Sequence, residues 1–151
     1  MTTKQRRQYL TLHAVRELVR GMGEHRQCFE KKTRESLRRI ERRVTAMIEA
    51  LGQPTRSDQA CFARAADKLN SAWVDEGGGH SQAAFVAIGL ALVAEQRAEI
   101  PAKAAKARQE FADLEGMLAT LYRHFDPDYE DMVASDEGEA VAREYRQLVA
   151  A

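Results

Sequence analysis

The feature that most constrains this chain is a set of apolar stripes whose members stand three and four residues apart. Leu12, Val15, Val19 and Met22 make one stripe, and Leu37, Ile40, Val44, Met47 and Leu51 a second. Ala107, Phe111, Leu114, Leu118, Leu121 and Phe125 make a third. Residues at these spacings share one face of a helix, and a heptad-like seam must be covered by another helix. No run alternates apolar and polar residues with β-branched chemistry, and no hairpin turn signal occurs, so no sheet is expected. Ala, Leu, Glu, Arg and Gln are abundant and prolines number three, which suits helices because these side chains lose little rotamer freedom there. The predicted fold class is all-α: a compact helical bundle of five to seven helices with an amphipathic N-terminal helical arm or hairpin.

The breaks between stripes place the elements. Gly21 and Gly23 flank Met22, where a C-cap or a kink is expected. Residues 3–51 therefore fit a hairpin turning there, or one long helix of roughly 70 Å at 1.5 Å per residue; the paired glycines favour the hairpin or kink. Gly52 and Pro54 end the second stripe. Thr55 and Asp58 fit a capping box, opening a helix with Phe62, Ala66, Leu69 and Trp73 on one face and Gly77-Gly78-Gly79 as its stop. Ser81 is placed to cap the next helix. Ala83–Ala94 carries no charge, yet about twelve residues fall short of the roughly twenty that a membrane span needs. It reads as a fully buried central helix through Phe85, Ile88 and Leu92, with the small residues Ala84, Ala87, Gly89 and Ala91 admitting close neighbours. Pro101 is expected as the first residue of the following helix. Asp126-Pro127 opens a short acidic helix through Tyr129 and Met132, and Asp136 and Glu139 cap a last helix with Val141, Tyr145 and Leu148 inward. The expected division is a basic amphipathic arm or hairpin over 1–53 and a bundle body with acidic C-terminal helices over 54–151.

A formal net charge of zero conceals a gradient. Residues 1–50 balance to +7, residues 51–100 to −2 and residues 101–151 to −5. The positive charge concentrates in Arg26, Lys31, Lys32, Arg34, Arg38, Arg39, Arg42 and Arg43, the negative in Asp126, Asp128, Glu130, Asp131, Asp136, Glu137 and Glu139. A basic helix face can neutralise phosphates by counterion release, or meet an acidic surface on another protein or in the chain's own tail. No aromatic residue falls between Lys31 and Arg43, so the arginines there have no platform for stacking single-stranded bases, and no recognised DNA-reading module is present.

Catalytic motifs are lacking. There is no phosphate-cradling P-loop or dinucleotide fingerprint, and no nucleophile elbow. Asp126, Asp128 and Glu130 have the spacing of a calcium loop without its glycine or distant bidentate Glu. His13 and Glu17 stand i,i+4, a metal-compatible spacing, but no second motif converges on them; His25, His80 and His124 read as surface or capping residues. Cys28 and Cys61 form no CxxC pair and read as reduced thiols. Arg20 and His25, with four residues between them, resemble the Arg-x-x-x-x-His signature of the HEPN ribonuclease superfamily. That resemblance covers these two residues and implies a helical bundle that dimerises around an RNA-cleaving site. In that family the signature lies in a helix with a polar residue after the Arg, whereas Gly21 and Gly23 fall inside it here.

The expected function is that of a non-enzymatic helical binding or regulatory protein acting through protein–protein contacts. It is expected to self-associate as a homodimer through its N-terminal helices. One alternative is a nucleic-acid-associated protein using the basic helix 26–43; another is a small HEPN-like ribonuclease using Arg20 and His25. No metal, cofactor, small-molecule substrate or membrane partner is expected. With no apolar segment after Met-Thr-Thr-Lys-Gln-Arg-Arg to suggest a signal peptide, the expected compartment is the cytoplasm.

Overall fold

The computed structural model describes residues 2–24, 27, 29–61, 63, 64, 67 and 82–125. Among them every regular element is helical: α1 (Thr3–Gly23), α2 (Lys31–Ala50), α3 (Gln82–Glu99) and α4 (Ala105–Phe125), with a further helix opening at residue 56. The all-α class read from the stripes is therefore what the chain adopts.

Each helix starts and stops for a local reason. Thr2 caps α1: its hydroxyl accepts from the Gln5 N–H at 3.1 Å, and the Gln5 side chain accepts from the Thr2 N–H at 2.9 Å. These reciprocal bonds satisfy two backbone donors that a helix start otherwise leaves open. α1 runs through Gly21 and ends at Gly23, so residues 3–50 form a hairpin. α2 ends at Ala50 with Leu51 as its C-cap, and Gly52 follows with φ +98°, a left-handed conformation that a glycine adopts without steric cost. Thr55 and Asp58 form the expected capping box, with Asp58 accepting from the Thr55 N–H and Thr55 accepting from the Asp58 N–H, both at 3.1 Å.

Pro101 is not the first residue of α4. α3 ends at Glu99, Ile100 is buried, and the Pro101 carbonyl accepts from the Ala104 N–H at 2.9 Å. Burial of Ile100 fixes the chain's direction at that point. Residues 101–104 must reverse it before α4 can begin at Ala105, and the fixed φ of proline serves that turn as well as it would serve a helix start.

The helices close a ring in which α1 packs on α2 and α3, and α4 packs on α2 and α3. Cross-helix contacts give the directions. Arg7 meets Glu99 and Thr11 meets Gln96 between α1 and α3; Thr33 meets His124 and Arg43 meets Asp113 between α2 and α4. All neighbours are antiparallel, so α2 and α3 run the same way on opposite corners. A single core joins them: Leu12, Val15 and Met22 from α1, Ile40 and Val44 from α2, Leu92 and Val93 from α3, Phe111, Leu114 and Leu121 from α4. The hairpin is thus continuous with the body through its apolar stripe. α1 also buries Leu10, Ala14 and Leu18, since it faces two neighbours at once. Gly89 sits where α3 nears α1 and α4. A Cβ there would meet the Leu18 and Leu118 methyls at 3.7 Å.

The expected face of Phe62, Ala66, Leu69 and Trp73, the Gly77–Gly79 stop, the Ser81 cap, and the helices through Tyr129 and Tyr145 lie outside the described residues, as do the side chains of 82–85.

Candidate functional site

Because α2 commits Leu37, Ile40, Val44, Met47 and Ile48 to the core, the helical period turns its arginines outward. They do not form one continuous patch. Arg34 and Arg38 look towards α1, whereas Arg39, Arg42 and Arg43 look towards α4.

The α1 side is a cleft of about 440 Å³ that also includes Arg20, Glu24, Gln27 and Glu41. One ion pair lies within it, and Arg38 is exposed with no ion pair among the described residues. Arg20 Nε lies 2.7 Å from a Glu41 carboxylate oxygen, and Arg34 Nη1 donates to the Phe29 carbonyl at 2.7 Å. Arg20, one half of the HEPN-like pair, is therefore held by α2; His25 lies outside the described residues. Lys31 and Lys32 are exposed beside Glu35 and Glu30, at 4.0 and 3.6 Å, loose pairs of the kind that contribute little.

The α4 side differs. A groove of about 790 Å³ runs between α2 and α4, lined by Arg39, Arg42, Arg43, Asp113 and Thr120 over a floor of Ala46, Ala112, Gly116 and Met117. Arg43 reaches only to 3.9 Å from Asp113, both about half exposed. Arg39 and Arg42 are exposed and form no ion pair among the described residues. Gly116 is exposed, and a Cβ there would meet nothing within 4 Å. The groove so joins guanidinium donors to a shallow apolar bed.

At one end of this groove, α4 finishes against the start of α2. The Phe29 and Phe125 rings meet edge-on, with centroids 5.5 Å apart, and His124 Nδ1 lies 3.4 Å from the Thr33 hydroxyl. Burial pushes His124 below the ordinary histidine value; Lys32 adds to this and Glu30 opposes it. The first turn of α2 carries no acid, and Glu30 makes no side-chain cap bond. The positive end of its dipole thus adds to Lys31 and Lys32.

Of the basic residues expected to bind, Arg39, Arg42 and Arg43 gather in the groove, Arg34 and Arg38 face the α1 cleft, Lys31 and Lys32 stand at the helix start, and Arg26 is outside the described residues. The acidic set Asp126, Asp128, Glu130, Asp131, Asp136, Glu137 and Glu139 also lies outside them. Asp113, Gly116 and Met117 were not expected. The only hint in the sequence was an exposed glycine on the outer face of the third stripe. His13 and Glu17 share α1, and among the described residues no three His, Cys, Asp or Glu side chains gather as metal ligands. Cys61 is a half-buried free thiol. No described helix is long and apolar enough to cross a membrane.

These features define an all-α bundle with an arginine-rimmed groove. Compared with protein-family models, curated proteins and solved structures, the chain matches none.

Proposed function

We propose that this chain is a non-enzymatic binding or regulatory protein whose α2–α4 groove receives an acidic, amphipathic segment of another protein. The observation that carries this reading is the pairing of Arg39 and Arg42, exposed and without an ion pair among the described residues, with a floor of Ala46, Ala112, Gly116 and Met117. A phosphate backbone needs the cations alone, whereas an amphipathic helix needs both halves: carboxylates for the rim and one or two apolar side chains for the floor. The exposed position of Gly116 leaves room for such a side chain. Self-association belongs to the same proposal. It would use a surface other than the α1 and α2 stripes, which are buried in the chain's own core.

The test is a binding titration of the full chain with two fluorescent probes, an acidic amphipathic peptide and a duplex DNA of the same net charge, at rising salt. The expected result is saturable peptide binding that weakens moderately with salt and falls at least tenfold in the Arg39→Glu, Arg42→Glu variant. Binding of the duplex instead, with a steep salt slope, would transfer the groove to nucleic acid.

A further inference from the structure

Three guanidinium groups gather on the groove side of α2. Arg39, Arg42 and Arg43 stand at i, i+3 and i+4, so they share one turn of helix, with Cβ atoms about 5–6 Å apart. Like charges at these spacings destabilise a helix, and α2 does little to offset them. The residues three and four places from Arg42 are Arg38, Arg39, Thr45 and Ala46. Glu35 stands four places before Arg39, but its carboxylate lies beside Lys31 at 4.0 Å. Among the described residues that line the groove only Asp113 is acidic. One of its oxygens accepts from Gln109 Nε2 at 2.8 Å, and the other is the one 3.9 Å from Arg43. The lining thus carries three positive charges against one negative.

That excess of two positive charges selects the anion. A carboxylate brings one negative charge and two oxygens. A phosphorylated serine, threonine or tyrosine brings about −1.5 to −2 at pH 7 and three acceptor oxygens. Three guanidinium groups within one turn match three oxygens on one phosphorus, and the planar fork of an arginine can bind two of them at once. We propose that Arg39, Arg42 and Arg43 form a phosphoryl-binding site, and that the amphipathic segment received by the groove carries one phosphorylated side chain. This rests on the proposed function of the groove and specifies the partner as a phosphoprotein. The phosphate sits on the arginine rim, and the floor of Ala112, Gly116 and Met117 takes the apolar side chains beside it. Asp113 narrows the choice further. A nucleic-acid strand crossing the groove would set additional phosphates against that carboxylate, whereas a single phosphate held on the α2 side avoids it. A second copy does not supply the anion groove to groove, because a two-fold contact sets the same arginines against one another.

The experiment measures binding of three fluorescent peptides by the full chain at one ionic strength. The first is the acidic amphipathic peptide. The second has one of its serines phosphorylated. The third has that serine and a neighbouring residue replaced by glutamate, which adds similar charge in another form. The expected result is that the phosphorylated peptide binds at least tenfold more tightly than the other two. Arg39→Gln with Arg42→Gln should remove that gain, whereas Arg38→Gln, on the same helix but facing α1, should keep it. All three arginines are exposed, and circular dichroism verifies that the variants retain their helices. If the phosphorylated and glutamate peptides bind equally, while Arg39→Glu with Arg42→Glu still abolishes binding, the phosphoryl site is overturned and the groove's function stands. A gain that survives Arg39→Gln with Arg42→Gln overturns it too, because the phosphate is then held elsewhere. If no peptide binds above the background of the Arg39→Glu, Arg42→Glu variant, the groove reading falls and the phosphoryl site falls with it. Competition separates the sources of phosphate. Unlabelled phosphopeptide should displace the probe, and inorganic phosphate at the same concentration should not, since it makes no contact with the floor. Equal displacement by inorganic phosphate, or stronger displacement by duplex DNA, would overturn the phosphoprotein in favour of that ligand.

Discussion

Asp58 and His13 show how single ionisable groups are settled in this fold. Asp58 is buried with 3% of its side chain exposed, and Arg6 Nε reaches it at 2.7 Å from the far end of the hairpin. Burial pushes its carboxyl up, but the backbone and side-chain contacts of Thr55 and the Arg6 guanidinium together outweigh this and hold it below the ordinary carboxylate value. One carboxylate thus caps a helix and ties that helix to α1. His13 goes the opposite way. Half-buried on α1, it is pushed below 6.5 chiefly by burial, with Glu17 opposing and Arg16 and Arg20 assisting. Because its folded value lies below its unfolded one, the unfolded chain takes the proton first on acidification. The stability tied to neutral His13 is fully present above pH about 6.5 and is lost as the pH falls from there through the lower folded value. His124 has the same sign. Thermal midpoints measured between pH 7.5 and 5 should fall steadily in the unaltered chain, and less steeply in a His13→Gln, His124→Gln variant. Equal slopes would mean that other groups govern this window.

At the scale of the element, Gly89 and Gly116 look alike in sequence and differ in surroundings. Gly89 is buried in α3 between Leu18 and Leu118, whereas Gly116 opens onto the groove. The separations of 3.7 Å and more around a Cβ at residue 89 are ordinary van der Waals contact, so alanine fits there and removes glycine's helix penalty. Gly89→Ala should raise stability by about 0.5–1 kcal/mol, and Gly89→Leu should lower it by about 1–3 kcal/mol through overpacking. Urea denaturation of both variants checks this; a destabilising Gly89→Ala would mean that α3 cannot admit even a methyl group. The contrast also explains what was legible in the sequence. A helix with a narrow buried face shows a clean stripe, and the stripes of α2 and α4 stand in the right places. α1 buries Leu10, Ala14 and Leu18 beside Leu12, Val15, Val19 and Met22, and a buried face that broad blurs the period. The groove was legible only as arginines, because Ala112, Gly116 and Met117 of its floor come from a different helix, and no spacing within one segment reports that. The turn at Pro101 was misread because proline suits a turn and a helix start equally.

For the whole molecule, the ring of antiparallel neighbours decides how it comes apart. Side-chain ties run round the ring: Arg20 to Glu41 between α1 and α2, Arg43 to Asp113 between α2 and α4, Arg97 to Glu115 between α4 and α3, and Arg7 to Glu99 between α3 and α1. These half-exposed pairs hold geometry more than they add stability. The shared core supplies the energy, and it makes the hairpin and the body depend on each other. Ile40 in α2 and Leu92 in α3 sit on opposite corners, and both are buried in that core. Each, replaced by alanine, should cost about 2–5 kcal/mol. The two costs should act on the same event. Far-ultraviolet circular dichroism, which follows all helices, should show one transition in either variant, shifted to lower denaturant with an unchanged slope. Were residues 1–53 an arm that folds apart from the body, Ile40→Ala would instead split the curve. The part of the ellipticity due to α1 and α2 would melt early, while the remainder kept the midpoint of the unaltered chain. Hydrogen exchange assigns the outcome to particular helices. Coupled folding requires that Ile40→Ala lower the protection of amides in α3 and α4 together with those in its own hairpin.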